Sequence, residues 1–225
     1  MPIQVQGATG TVAEVGGTTF RALSIQSKPA EYGALGHYQV AAGTGPMSAA
    51  LAGNSEILQF RWTDATRLAV VTKIRVEGMI TTTAFAAGPI FLGAHMARGW
   101  SADGSGGAAI TMTGNNQKQR TSMGTSLVGA IRVATTGALT AGTKTLDVQP
   151  FGSIVSHSSA GTGSATPIIG SIYLPQNELV DTDSGDGEHP IVLASNEGFV
   201  VRAIVPITGV WNLSIRCKWS EVTAY

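Results

Sequence analysis

The sequence predicts an all-β protein, a single-domain antiparallel β-sandwich wound as a jelly roll, and three observations carry that expectation. First, the run from Gly209 alternates strictly: Trp211, Leu213, Ile215, Cys217 and Trp219 share one parity, and Asn212, Ser214, Arg216, Lys218 and Ser220 share the other. Successive strand side chains point to opposite faces, so this run has one wall in a core and one in water. Second, no comparable run of apolar residues holds helical spacing. Third, Gly-, Asn- and Asp-rich turns punctuate the chain throughout: Gly16-Gly17, Gly43 to Pro46, Asp103 to Gly107, Gly114 to Asn116, Gly161 to Gly163 and Asp183 to Gly187.

Taken in order, the candidate strands begin with Thr18 to Ile25 and Glu56 to Trp62. Leu68 to Ile80 follows, with Leu68, Val70, Ile74, Val76 and Ile80 on one parity and a bulge or bend expected near Gly78. Further strands are expected over Pro89 to Ala97, Ala108 to Thr113, Leu127 to Val133, Thr145 to Val155, Pro167 to Leu174, Pro190 to Ala194 and Phe199 to Ile207. The last of these is joined to the closing strand by the short link Thr208-Gly209, which predicts a terminal β-hairpin. Ala-rich Met47 to Asn54 is the one candidate for a short helix. No linker divides the chain, so residues 1–17 read as an N-terminal arm or edge strand and residues 18–225 as the sandwich. A chain of 225 residues falls within the span of single all-β domains.

Composition narrows the function. Hydrophobic residues make up 43% and charged residues only 12%, about half the usual charged share. Fourteen basic residues balance fourteen acidic ones, for a formal net charge of zero, which argues against a nucleic-acid partner. The longest apolar stretch, Ala84 to Ala97, is broken by Gly88, Pro89, Gly93 and His95 and is too short to span a bilayer, so no membrane partner is expected. The start, Met1 to Gly7, has no basic and apolar signal pattern. Cys217, the single cysteine, sits at core parity, and both features fit folding in a reducing cytosol.

Charge is unevenly placed. Between Asp103 and Asp147 there are Lys118, Arg120, Arg132 and Lys144 but no acid, whereas Glu178 to Glu197 holds six acids and no Lys or Arg. Solvated loops explain this most simply; complementary patches meeting between subunits are the sharper reading. On that reading the interaction residues are Lys118, Arg120, Asp181, Asp183, Asp186 and Glu188.

The motifs of catalysis and metal binding are sparse. His37, His95, His157 and His189 show no metal-ligand spacing, and neither a nucleophile elbow nor a dinucleotide-binding glycine motif is present. Gly137 to Thr145 resembles a phosphate loop, but Thr143 stands between Gly142 and Lys144, where the motif needs them adjacent. Asp181, Asp183 and Asp186 place oxygens densely enough to suit calcium. Yet Gly185, Asp186 and Val192 stand at the fifth, sixth and twelfth positions, where an EF-type loop needs an oxygen ligand, a glycine and a bidentate acid. A plain acidic turn between Leu179 and Ile191 is the simpler reading. No cofactor and no enzymatic activity are therefore expected.

Several stretches resemble accessory virion proteins of tailed bacteriophages, of the capsid cement or decoration type. They are Gly17 to Leu23, Glu31 to Tyr38, Asn54 to Trp62, Asn196 to Arg202, Thr208 to Trp211 and Lys218 to Glu221, about a third of the chain. The resemblance implies a jelly-roll sandwich in the virion, assembled in the host cytoplasm, that sits as a dimer or trimer on the lattice and bridges major capsid protein subunits. The arm Met1 to Gly17 would add a strand to a neighbour's sheet, or belong to its own sandwich. Two readings compete: a phage tail or receptor-binding protein, and a carbohydrate-binding β-sandwich. The second needs exposed aromatics, and only Trp100 is expected in a loop, since Trp62, Trp211 and Trp219 share core parity.

Overall fold

The computed structural model describes residues 5–6, 12–13, 35–48, 51, 54–83, 85–158, 170–171, 177–182 and 189–225. In chain order the strands are β1 (Val5–Gln6), β2 (Val12–Ala13), β3 (Gly36–Gly43), β4 (Met47–Ser48), β5 (Ser55–Trp62), β6 (Leu68–Thr83), β7 (Gly88–Ala102) and β8 (Ala108–Ala109). They continue with β9 (Val128–Val133), β10 (Thr143–Leu146), β11 (Gly152–Ser158), β12 (Gly170–Ser171), β13 (Glu178–Asp181), β14 (Ile191–Leu193), β15 (Glu197–Ile204) and β16 (Val210–Val222). There is no helix among the described residues.

The fold is an all-β sandwich of two antiparallel sheets. One is ordered β10-β7-β15-β5-β9-β8, with β11 beside β10 on the same edge of β7. The other is ordered β12-β6-β16-β3, with β13 and β14 also on β6 and β4 also on β16. The long strands alternate between sheets along the chain: β5 in the first, β6 in the second, β7 back in the first.

This alternation overturns the terminal hairpin. β15 pairs with β5 and β7, whereas β16 pairs with β3 and β6 in the opposite sheet. The cause lies in the link, which is longer than Thr208-Gly209. Pro206 has no N–H for a ladder, so pairing stops at Ile204 and the chain crosses the sandwich before β16 begins. Buried residues on both faces of β15, Phe199 and Val200 next to each other, are the mark of a central strand.

The core lies between the sheets. Trp211, Leu213, Ile215, Cys217 and Trp219 of β16 are all buried, as their alternation predicts. Phe60 stacks on Phe199 at 4.9 Å within the first sheet and meets Trp219 of the second edge-on at 5.1 Å. Trp219 in turn stacks on Tyr38 at 5.6 Å. Each such pair adds about 0.5–1.5 kcal/mol beyond its buried area, so this chain of rings ties one sheet to the other. At the sandwich's side, Gly152 of β11 abuts β13. A Cβ there would stand 1.8 Å from the Leu179 carbonyl oxygen, so only glycine lets the two edges close.

Bulges account for the departures from simple parity. In β6 the register against β16 skips Glu77, beside Gly78 as expected, and it also skips Thr72. The second bulge moves the core parity, so Ala69 and Val71 line the main core before it and Ile74 and Val76 after it; Val70 is buried but lies outside that cluster. In β5 the register against β15 skips Ile57. Ile57 and Leu58 both enter the core, and Glu56 is turned to the sandwich's outer face with Gln59.

Other expectations shift in their bounds. Thr145 to Val155 is two strands, β10 and β11, separated around Pro150. Ala108 to Thr113 shrinks to β8. Within Met47 to Asn54, Met47 and Ser48 pair with Trp211 and Val210 as strand rather than helix. The strand β3, with Tyr38, Val40 and Ala42 inward, was not anticipated. In the arm, Val5–Gln6 pairs antiparallel with Val12–Ala13, a small sheet of its own. The proposed strand over Thr18 to Ile25 lies outside the described residues, as does most of Pro167 to Leu174.

Candidate interaction surface

Lys118 and Arg120 ride on the segment Gly114 to Leu127, which folds over the edge strand β3. Gln39 donates its N–H to the Gln117 carbonyl and Gln119 donates to the His37 carbonyl, both at 3.0 Å, bridging Lys118 to Tyr38 across the edge. The Tyr38 hydroxyl donates to the Gly124 carbonyl at 2.8 Å. Lys118 Nζ donates to Asn115 Oδ1 at 3.3 Å, and Arg120 is exposed.

The anchor of this segment is Glu221, which sequence reading passed over. It is 1% exposed. Its carboxylate accepts from the Ser126 hydroxyl at 2.6 Å, the Leu127 N–H at 3.0 and 3.2 Å, and the Trp219 indole N–H at 3.4 Å. Burial raises its pKa above the ordinary glutamate value, against the lowering pull of these hydrogen bonds. Burial, with Glu221 nearby, also pushes the Tyr38 phenol up to about 12. Beside them Ser220 Oγ lies 2.9 Å from His37 Nδ1.

The acidic half of the expected pair of patches is partly consumed within the chain. Asp181 lies 2.9 Å from Lys73 Nζ, and Glu178 lies 3.8 Å from Lys73 and 3.9 Å from Arg75. Asp183, Asp186 and Glu188 lie outside the described residues. Among the described residues no group of three or more His, Cys, Asp or Glu side chains is placed to hold a metal ion.

The basic half is consumed further. Lys144 is 1% exposed at its side chain and does not line a surface patch. Its Nζ donates to Glu56 Oε2 at 2.9 Å and to the Ala141 carbonyl, and it lies 4.5 Å from the Trp100 ring centroid. Gln59 Nε2 donates to the same Glu56 oxygen at 2.6 Å and to the Thr140 carbonyl at 2.8 Å. Arg132 donates to the Gly106 carbonyl at 3.0 Å. This cluster fastens the short segment Thr140 to Lys144 over Glu56 and Gln59 on the outer face of the first sheet.

Trp100 corrects the expectation of a loop aromatic. It lies in β7, 1% exposed, in a small outer core with Ala97, Val200 and Leu146. Gly198 makes room for it: a Cβ there would stand 2.9 Å from the Trp100 ring. With all four tryptophans buried, none supplies the exposed platform a carbohydrate-binding face requires.

Past this outer core the same face is open and apolar. Val155 pairs with Phe91, and Phe91 pairs with Ile204, so the three form one row across β11, β7 and β15. Val155 is 60% exposed and Ile204 36%. Phe151 and Val148, ahead of β11, are also exposed, as is Ile207 past the end of β15. Cys217 takes no part in any surface: it is fully buried, and desolvation pushes its thiol up to about 12. Comparison with protein-family models, with curated proteins and with solved structures finds no match for this chain.

Proposed function

We propose that this chain is a non-enzymatic structural protein of a tailed-phage virion, a capsid cement or decoration protein that bridges and stabilises major capsid subunits. One observation carries the reading. A sandwich cross-tied by stacked rings buries charges beneath covering segments, as with Glu56–Lys144, or pairs them on the surface, as with Lys73–Asp181, and leaves apolar and uncharged polar side chains on an outer face. Such a face loses little on desolvation, which suits permanent burial against neighbours. The winding fits the same reading. β3-β16-β6-β13 opposed to β5-β15-β7-β11 is the order that eight strands take when a folded ribbon is rolled into a jelly roll, with β8 and β9 added at one edge.

Electron microscopy of particles produced with and without this chain tests the proposal. Density at regular lattice positions, lost with the chain, together with particles that rupture at lower temperature, is the expected result. Particles of unchanged density and heat resistance overturn it.

A further inference from the structure

We propose that Lys144 and Gln59 become joined by an intrachain isopeptide bond, formed by the protein itself with Glu56 as the proton carrier. The three side chains meet on one atom. Lys144 Nζ donates to Glu56 Oε2 at 2.9 Å, and Gln59 Nε2 donates to the same oxygen at 2.6 Å. Both distances lie within the reach of general acid–base transfer, so one carboxylate oxygen can take a proton from the amine and pass it to the amide nitrogen.

The fold assembles this trio against the local pattern. Glu56 and Gln59 have opposite parity on β5, and the bulge at Ile57 puts both on the outer face. Lys144 reaches them from β10, at the place where the register against β7 shifts. Gly104 leaves room for the amide, because a Cβ there would stand 2.5 Å from Gln59 Oε1. Water is shut out: the Lys144 side chain is 1% exposed and Gln59 2%. Among the described residues the buried Gln59 Oε1 has no hydrogen-bond partner, a state that native interiors rarely keep for structure alone.

Burial supplies the drive. An ion pair held out of water is costly, and moving the Lys144 proton to Glu56 replaces two buried charges by a neutral amine and a neutral acid. The amine lone pair attacks Gln59 Cδ and forms the Nζ–Cδ bond. Glu56 hands its proton to Nε2 and takes a second one from Nζ; the Cδ–Nε2 bond breaks and ammonia leaves. Glu56 ends as a neutral acid beside a new secondary amide, and no oxidant, reductant or co-reactant is consumed. The groups are already in contact, so no encounter has to be waited for, and hydrolysis does not compete where water is shut out.

The bond does not rest on the capsid reading, since it is measured on the purified full chain without particles; either can fail while the other stands. Mass spectrometry of the denatured wild type should give the sequence mass less one ammonia. Trypsin should leave the chain uncut after Lys144 and release one branched peptide that fragments to a Gln59–Lys144 link. Glu56→Gln keeps the shape of the carrier but cannot ferry the proton, and should show the full mass with normal cleavage. Gln59→Met also removes the link and leaves Glu56 and Lys144 as a plain ion pair, the background in which the energy of that pair is measured. A wild type of full sequence mass, cut freely after Lys144, overturns the proposal whether or not the variants fold. So does loss of one water with the branch on Glu56, or a Glu56→Gln protein linked as completely as the wild type.

Discussion

Replacing Glu221 by Ala tests how the segment Gly114 to Leu127 is held on the sandwich. The side chain is the shared acceptor for Ser126, Leu127 and Trp219. Its removal leaves the Leu127 N–H and the Trp219 indole N–H without their acceptor, while the Ser126 hydroxyl can rotate. An orphaned buried donor costs about 1–3 kcal/mol, and partial entry of water beside exposed Leu127 lowers the total, so the expected loss is about 2–4 kcal/mol. For a domain of this size that is a fall in melting temperature of about 5–15 °C. Urea unfolding measures the loss, and hydrogen exchange should show it concentrated in residues 117–127. A loss below about 1 kcal/mol would refute the anchoring role, because orphaning even one buried donor costs that much.

Glu221→Gln separates the charge from the hydrogen bonds. The folded pKa of Glu221 is raised above 4.5, so the folded state holds the proton more tightly than the unfolded state. Its contribution is fully present below 4.5 and is lost as pH rises through the folded value. Relative to Glu221→Gln, the wild type should therefore gain stability as pH falls through that window. No change in the difference between the two proteins, or a change of opposite sign, counts against the buried carboxylate.

Three further expectations concern the interior. Lys144→Met leaves Glu56 buried without its cation and should cost about 3–5 kcal/mol, most of it recovered when Glu56→Leu is added, as a denaturant double-mutant cycle would show. Gly152→Ala drives a Cβ against the Leu179 carbonyl and should destabilise by about 1–3 kcal/mol in urea unfolding, whereas Gly43→Ala, with open space at its Cβ, should not. Cys217 should resist a thiol-specific disulfide reagent in the native state and react fully in denaturant; rapid native labelling would contradict its burial.

Individual strands were legible in the sequence wherever apolar and polar residues alternate, as along β16, because that pattern is set by local geometry. Three things were not. A bulge adds a residue without any composition of its own: nothing about Ile57 or Thr72 distinguishes them from ladder residues, yet each redirects its neighbours. A face buried by a covering segment looks solvated in the sequence, which is why Trp100, beside Gly99 and ahead of Ser101, read as a loop residue. Partner choice was hidden too, since alternation tells which way a side chain points and not which strand lies alongside.

The terminal segments show the same division. Phe199 to Ile207 and Gly209 onward alternate as hairpin partners should, and a short glycine-containing link favours that pairing locally. Two features weigh against it, both present in the sequence. Pro206 withholds a donor where a hairpin ladder would need one, and Val200 adds a second apolar face to β15. A strand apolar on both faces needs cover on both sides, and the terminal hairpin supplies neither of those covers. The sandwich supplies both, with the second sheet against Phe199 and the Trp100–Leu146 cluster against Val200. Glu56 and Lys144 were invisible for a related reason: their pairing joins residues far apart in sequence, after a bulge has turned one of them outward. The surface features argued above thus depend on tertiary cover, and the open row through Val155 is the part of that face which the described chain leaves bare.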